Sequence, residues 1–330
     1  MTERTIGRAM PDSAVVMPTT PERAEVSADA EPVVRIRGLR KTYHDKEAVG
    51  GIDLEVCRGE IFTFLGPNGA GKTTTVEILE GYRGRDAGEV EVLGRDPAHA
   101  TREWRSRIGV VLQTCDVWPE LTVEEALSLF GRYYPKPLSV DRTLELVGLG
   151  GDRKRRAGQL SGGQKRRLDV GLALVGDPEL LFLDEPTTGF DPSARRHAWE
   201  VIAGLRSLGK TVFLTTHYMD EAEALADRIA VIVDGSIVAE GTPNELGGRD
   251  RERPIISFRL PDNVAPGELP VASADELHVF GDGVELRCAN PTAALATLGG
   301  WAVDHGFELA ELEVHRPTLE DIYLRLTGGR

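Results

Sequence analysis

The sequence predicts an α/β chain: a largely parallel sheet, an antiparallel β flank before it, a helical segment inserted into it and a small α+β module after it. Two observations carry that expectation. Four short apolar runs, IFTFL at 61–65, IGVVL at 108–112, LLFLDE at 180–185 and TVFLTT at 211–216, are separated by helical stretches, as parallel strands covered on both faces would be. Between Gln113 and Gly176 the strand signal disappears and helix signals replace it. A length of 330 residues accommodates one large domain and a smaller one.

Taken in order, residues 1–32 mix Pro, Thr, Ala and charge without an uninterrupted apolar run, and read as a disordered extension rather than a signal peptide. VVRIRGLRKTY and GIDLEVCRGE alternate and read as antiparallel strands. In the helical segment, about 114–176, Thr122 and Glu125 form one capping box and Ser161 and Gln164 a second. After Ser161, the positions Leu168, Gly171, Leu172 and Val175 fall on one face and predict an amphipathic helix. IAVIVDGSIVAEG predicts a hairpin turning at Asp234-Gly235. The first domain, 33–247, should end near Leu246, where GGRDRERP reads as a linker. Residues 253–330 then read as strand (IISFRL), strand (VELRC), helix from Pro291, strand (FELAELEV) and a final helix. Thr318 caps that last helix, and Leu319, Ile322, Tyr323 and Leu326 form its apolar face.

Composition narrows the function classes. A formal net charge of -14 opposes broad binding to nucleic acid or anionic lipid, so nucleic acid is not an expected partner. Cys57, Cys115 and Cys288 are odd in number and far apart, which predicts neither a disulfide framework nor a zinc site and fits a reducing compartment. The seven histidines show no metal-ligand spacing. No stretch approaches the roughly 18 apolar residues that a membrane-spanning helix needs.

The chemistry is concentrated in three motifs. GPNGAGKT at 66–73 fits G-x-x-x-x-G-K-[ST] and lies between a predicted strand and a predicted helix, the setting of a phosphate loop. Gly66, Pro67, Asn68, Gly69, Ala70 and Gly71 would curl their amides inward. Lys72 would supply charge to the β- and γ-phosphates, Thr73 a hydroxyl to Mg²⁺, and Thr74 would follow in the same turn. The first domain is thereby an α/β P-loop NTPase sheet domain with an antiparallel β subdomain and an inserted helical subdomain. In LLFLDE, Asp184 is the expected carboxylate on the metal side and Glu185 the one that polarises an attacking water. SGGQ at 161–164 opens a helix whose positive dipole end and free amides attract phosphate.

Taken together these residues resemble the nucleotide-binding domains of ATP-binding cassette transporters. The resemblance spans about 33–247 and rests on seven features in order: Tyr43, GPNGAGKT, Gln113 after IGVVL, LSGGQ at 160–164, LLFLDEP, GFDP at 189–192 and His217 after TVFLTT. LSGGQ is the specific one, since phosphate loops occur in many unrelated nucleotidases. The resemblance implies an ATPase that uses ATP and Mg²⁺, working as a head-to-tail dimer. Ser161, Gly162, Gly163 and Gln164 of one copy would face the γ-phosphate held by the phosphate loop of the other. It also implies that Tyr43 stacks on adenine, that Gln113 touches Mg²⁺ and the lytic water, that His217 holds the γ-phosphate and water, and that Asp191 couples the two sites. Read from the residues alone, Tyr43 as a core side chain, Gln113 as a polar strand-end residue and His217 as a structural histidine stay open. Phe190 departs from the leucine usual in that segment.

The ending HRPTLEDIYLRLTGG, with EGYRGRDAGEVEVLGRDP and TTHYMDEAEALADRIAVIVDGSIVAEGTP, resembles the ATPase subunits of daunorubicin-resistance-type exporters. That implies export of a drug, lipid or polysaccharide through an integral membrane permease carried on a separate chain, with this subunit peripheral at the cytoplasmic face. The permease would dock beside Gln113 and TCDVWPELT, where Val117, Trp118 and Leu121 are either a docking surface or part of the helical core. An importer subunit and a soluble remodelling ATPase are the alternatives.

Overall fold

Alternation along the first two strands pairs them before any sheet domain is needed. In the computed structural model, which describes residues 31–111, 117–260, 264–271 and 275–327, β1 (Pro32–Tyr43) and β2 (Lys46–Cys57) run antiparallel. They bury Val34, Ile36, Leu39, Val49, Leu54 and Val56 on one side. Then follow β3 (Ile61–Leu65), α1 (Lys72–Leu79), β4 (Ala87–Val92), α2 (Arg102–Arg105) and β5 (Ile108–Val111). The helical insertion holds α3 (Val123–Gly131), α4 (Val140–Leu146) and α5 (Gly162–Leu174). Beyond it come β6 (Leu180–Asp184), α6 (Pro192–Ser207), β7 (Thr211–Thr216), α7 (Met219–Leu225), β8 (Arg228–Val233) and β9 (Ser236–Gly241). The chain ends in β10 (Ile255–Arg259), β11 (Glu276–Phe280), β12 (Gly283–Arg287), α8 (Pro291–Asp304), β13 (Ala310–His315) and α9 (Leu319–Thr327).

The four apolar runs and β8 form one parallel array in the order β5-β6-β7-β3-β8, and β9 closes it antiparallel. Although each run is apolar throughout, its side chains alternate between two cores. Phe62, Phe64, Phe182 and Phe213 meet the antiparallel sheet β2-β1-β4 and α1, with ring centroids 5.5–5.8 Å apart. Ile61, Leu181, Leu183, Val212 and Leu214 face the opposite way, toward α3 to α6. The hairpin turns where expected: Asp234 and Gly235 both have positive φ, 46° and 78°, as a two-residue turn matched to strand twist requires.

Two strands escape the sequence reading. β4, AGEVEV, is half acidic or glycine, and β11, ELHVF, is mostly exposed; each becomes a strand by pairing with β1 and β12 respectively. The capping box at Thr122 forms as expected. For α5 the expected single apolar stripe is corrected: from Leu168 to Leu174 every residue is buried, including Asp169 and Gly171. Sheet strand β5 and helices α3, α4 and α6 all contact α5, so it has no wet side along that stretch.

The C-terminal sheet, ordered β11-β12-β10-β13, packs Ile256, Phe258, Val284 and Leu286 against Leu298 and Ala302 of α8. α9 does otherwise. Thr318 caps it, accepting from Asp321 N at 3.1 Å, and its Leu319 and Tyr323 pack with Ala222, Ile229, Val231 and Leu246 against α7 and β8. The final helix thus returns to the parallel sheet of the first domain.

Candidate active site

Every element of the expected phosphate site ends at the same edge of the parallel sheet, because β3, β6 and β7 are adjacent and parallel and open their loops on the same side. The loop after β3 is built on glycine for steric reasons. A Cβ at Gly66 would lie 2.4 Å from Ile232 O, and one at Gly71, whose φ is 108°, would lie 2.3 Å from Ala48 O. β8 and β2 therefore press the loop into shape. Pro67, Asn68 and Gly69 form its exposed tip, Ala70 is buried under it, and Thr74 is half-buried in the first turn of α1.

Lys72 is buried and uses its ammonium fully: it donates to Gly66 O at 2.8 Å and Pro67 O at 3.2 Å, and pairs with Glu185 Oε1 at 3.1 Å. Thr73 Oγ1 donates to Asp184 Oδ2 at 3.3 Å, and Thr215 Oγ1 donates to Asp184 Oδ1. Asp184 and Thr73 thereby bring together two oxygens of the kind a hard divalent cation takes, so the donor set fits Mg²⁺.

Glu185 sits at the turn after β6 with φ 43°, a left-handed conformation rare outside glycine. Its amide donates to Thr215 Oγ1 at 3.0 Å and Thr215 O at 3.1 Å, which anchors the turn to β7. Burial pushes its carboxyl up, but the charge and hydrogen bond of Lys72, with the charge of the neighbouring His217, outweigh that and hold it below the ordinary range. Thr188 Oγ1 also donates to Glu185 Oε2, at 3.3 Å. His217 Nδ1 lies 3.3 Å from the same oxygen without an aligned hydrogen bond among the described residues, and its ring packs on Tyr218 at 4.1 Å. Lys72, Thr73, Asp184, Glu185 and His217 thus converge in one cluster.

Tyr43 lies half-buried at the end of β1, with Lys41 Nζ 5.5 Å and Arg83 Cζ 5.3 Å from its ring centre. Gln113, expected beside the metal, lies outside the described residues, as does Cys115. Trp118 is 58% exposed, while Val117 and Leu121 are half-buried against the helical core.

The remaining predicted residues are elsewhere. Ser161 caps α5, accepting from Gln164 N at 3.3 Å while its own amide donates to Gln164 Oε1 at 2.9 Å. Asp191 caps α6, its Oδ1 accepting from Ser193 N and Ala194 N at 2.9 Å. Ser161, Gly162, Gly163, Gln164 and Asp191 line a separate cavity of about 390 Å³ whose walls include none of Lys72, Asp184, Glu185 or His217. A Cβ at Gly162 would meet nothing within 4 Å, and one at Gly163 only Ala194 at an ordinary 3.6 Å. These two glycines, unlike Gly66 and Gly71, answer to no constraint in their own chain.

Sequence reasoning missed Thr215, Arg166 and Glu80. Thr215 sits in TVFLTT and reads as a strand residue. Arg166 reads as one of three basic residues after the glycines. Glu80 ends α1 with Oε1 buried and unbonded among the described residues; burial, with the charges of Asp184 and Glu77, pushes its carboxyl up to about 8.

Comparison with known proteins bears on most of the chain. The ABC transporter family profile matches residues 49–188, and that of the ABC transporter domain-containing protein-like C-terminal domain matches 254–318. Nod factor export ATP-binding protein I of Ralstonia nicotianae is 40% identical over 304 residues, covering 90% of this chain and 94% of that one. Daunorubicin resistance ATP-binding protein DrrA3 of Streptomyces coeruleorubidus is 37% identical over 310 residues, covering 91% and 97%. Among solved structures, the ADP conformation of MJ1267, an ATP-binding cassette of an ABC transporter, superposes with a TM-score of 0.59 at 27% identity over 65% of this chain and 92% of that one. The dimeric post-hydrolysis state of the ATP-binding cassette MJ0796 bound to ADP and Pi gives 0.57 at 25% identity over 63% and 98%.

Proposed function

The chain belongs to the ABC transporter family as an ATP-binding subunit that hydrolyses ATP, and from that premise we propose that two copies close on two ATP molecules to drive export through a separate membrane permease. The observation that carries the dimer is the split between the two half-sites. The phosphate loop and carboxylates form one cluster, while Ser161, Gly162 and Gly163 present a helix N-terminus to a different cavity. A glycine that its own chain does not require is suited to close approach by a ligand's phosphate. The dimeric cassette bound to ADP and Pi among the structural relatives supports a dimer.

Within each composite site, Lys72 and the amides of the phosphate loop hold the β- and γ-phosphates, and Tyr43 offers its ring to adenine. Thr73 and Asp184 would hold Mg²⁺, which when bound would neutralise phosphate charge. Arrival of phosphate at Lys72 competes for the ammonium that Glu185 now holds. Losing that partner leaves Glu185 buried with less compensation, so its proton affinity rises as the water it polarises arrives. His217 steadies that water and the γ-phosphate, Gln113 senses it, and Asp191 links the sites across the dimer.

Export of a drug, lipid or polysaccharide is supported by relatives named for Nod factor export and daunorubicin resistance. No helix among the described residues is long and apolar enough to cross a membrane. The proposed permease is a separate polytopic chain, docked near Val117, Trp118 and Leu121, with this subunit peripheral at the cytoplasmic face.

The test is affinity purification of tagged Glu185→Gln protein from detergent-solubilised native membranes with ATP present. A stoichiometric polytopic membrane protein is the expected companion. A solute-binding importer assembly would reverse the direction, and ribosomal or chromosomal proteins with the bait in the soluble fraction would replace the transport reading.

A further inference from the structure

One buried cation belongs to neither half-site and touches both. Arg166 lies in the second turn of α5, five residues from Ser161, and is 7% exposed. Its Nε donates to Pro186 O at 2.9 Å and its Nη2 to Asp184 O at 3.3 Å, so one guanidinium grips the carbonyls on either side of Glu185. Nη1 lies 3.8 Å from Asp169 Oδ2 on the same helix. Arg166 and Pro186 also line the cavity that Ser161 and Asp191 open into.

Resting on the dimer reading above, we infer that Arg166 is a positioning residue that ties the helix receiving one ATP to the Glu185 turn that acts on the other. The turn at Glu185 has a φ that a non-glycine residue keeps only when its surroundings enforce it. Thr215 enforces it from β7 through the Glu185 amide, and Arg166 enforces it from α5 through the two flanking carbonyls. The capping box joins Ser161 to the first turn of α5, the turn before the one that carries Arg166. A displacement of Gly162 and Gly163 toward phosphate is therefore delivered to Asp184 O and Pro186 O through a planar fork of fixed geometry. Lysine cannot reproduce this, since its ammonium is a single point of donation on a flexible stem.

The experiment measures ATP hydrolysis against ATP concentration for the full chain and for Arg166→Lys and Arg166→Met, with equilibrium binding of a fluorescent ATP analogue alongside. The expected result is a fall in kcat of about tenfold or more, because small misplacements of a reacting group are costly. The Hill coefficient falls to about 1, and analogue binding stays within about twofold, as the phosphate loop is untouched. Arg166→Lys keeps the charge and most of the packing, so it carries the test if Arg166→Met does not fold. Unchanged kcat and Hill coefficient in Arg166→Lys would overturn the inference, and so would full retention of cooperativity with a lower kcat. ATP-dependent dimerisation of Glu185→Gln, followed by light scattering, separates the two levels. Its absence overturns the dimer reading, and its presence with unaltered Arg166→Lys kinetics overturns the role of Arg166 alone.

Discussion

Lys72 Nζ lies 3.1 Å from Glu185 Oε1, so the cation proposed to hold phosphate is paired with the carboxylate proposed to activate water. Both side chains are buried, which makes the pair costly to break unless a replacement for each partner arrives. A nucleotide phosphate is such a replacement for Lys72. On the proposed roles, substrate binding and release of Glu185 would be the same event.

Glu185→Gln should lower the hydrolysis rate by about 10² to 10⁴, the usual contribution of a positioned base. Binding of a non-hydrolysable ATP analogue should be at least as tight as in the parent, because Lys72 no longer has a carboxylate to give up. Both are read by steady-state turnover and titration calorimetry. Weaker analogue binding would mean that the pair is not what the nucleotide displaces.

Glu80 makes the stability of the nucleotide-free chain depend on pH. Its carboxyl is pushed up to about 8 by burial and by Asp184 and Glu77, whereas the unfolded chain ionises it in the ordinary carboxylate range. The folded state therefore binds the extra proton, and stability falls as pH rises from that range through about 8. The Tm of the parent should drop over this interval, while Glu80→Gln shows a flatter profile and exceeds the parent at pH 9. Parallel profiles would remove Glu80 as the cause.

Two glycine substitutions should separate folding from catalysis. Gly66→Ala places a methyl carbon 2.4 Å from a backbone oxygen and should lower the Tm or the soluble yield outright. Gly162→Ala meets nothing in its own chain, so its Tm should match the parent while turnover falls by about tenfold or more. Normal turnover in Gly162→Ala would argue against a phosphate approaching that amide from a second copy.

Leu319 is buried against the nucleotide-binding sheet rather than the C-terminal one. Leu319→Ala should cost about 2 to 5 kcal/mol, as large-to-small changes in a packed core do. The loss should appear in the unfolding transition that ATP and Mg²⁺ stabilise. If a transition insensitive to nucleotide shifts instead, α9 serves the C-terminal module.

What the sequence determined by itself was local. The phosphate loop, the capping boxes at Thr122 and Ser161, the turn at Asp234-Gly235 and the cap at Thr318 each depend on residues within a few positions of one another, and four apolar runs were enough to announce parallel strands. The P-loop ATPase fold followed, because those signals agree with one another. What the tertiary structure decided was every relationship between distant segments. β4 and β11 carry weak strand signals and exist by pairing with β1 and β12. From Leu168 to Leu174 α5 is buried on all sides because four other elements converge on it, which no periodicity within thirteen residues records. Arg166 reaches carbonyls eighteen and twenty residues away, Lys72 meets Glu185 across the sheet edge, and α9 returns to α7 and β8. A backbone carbonyl or an apolar surface has the same local sequence whether or not a partner arrives, so only the packed fold reveals which groups are answered from afar.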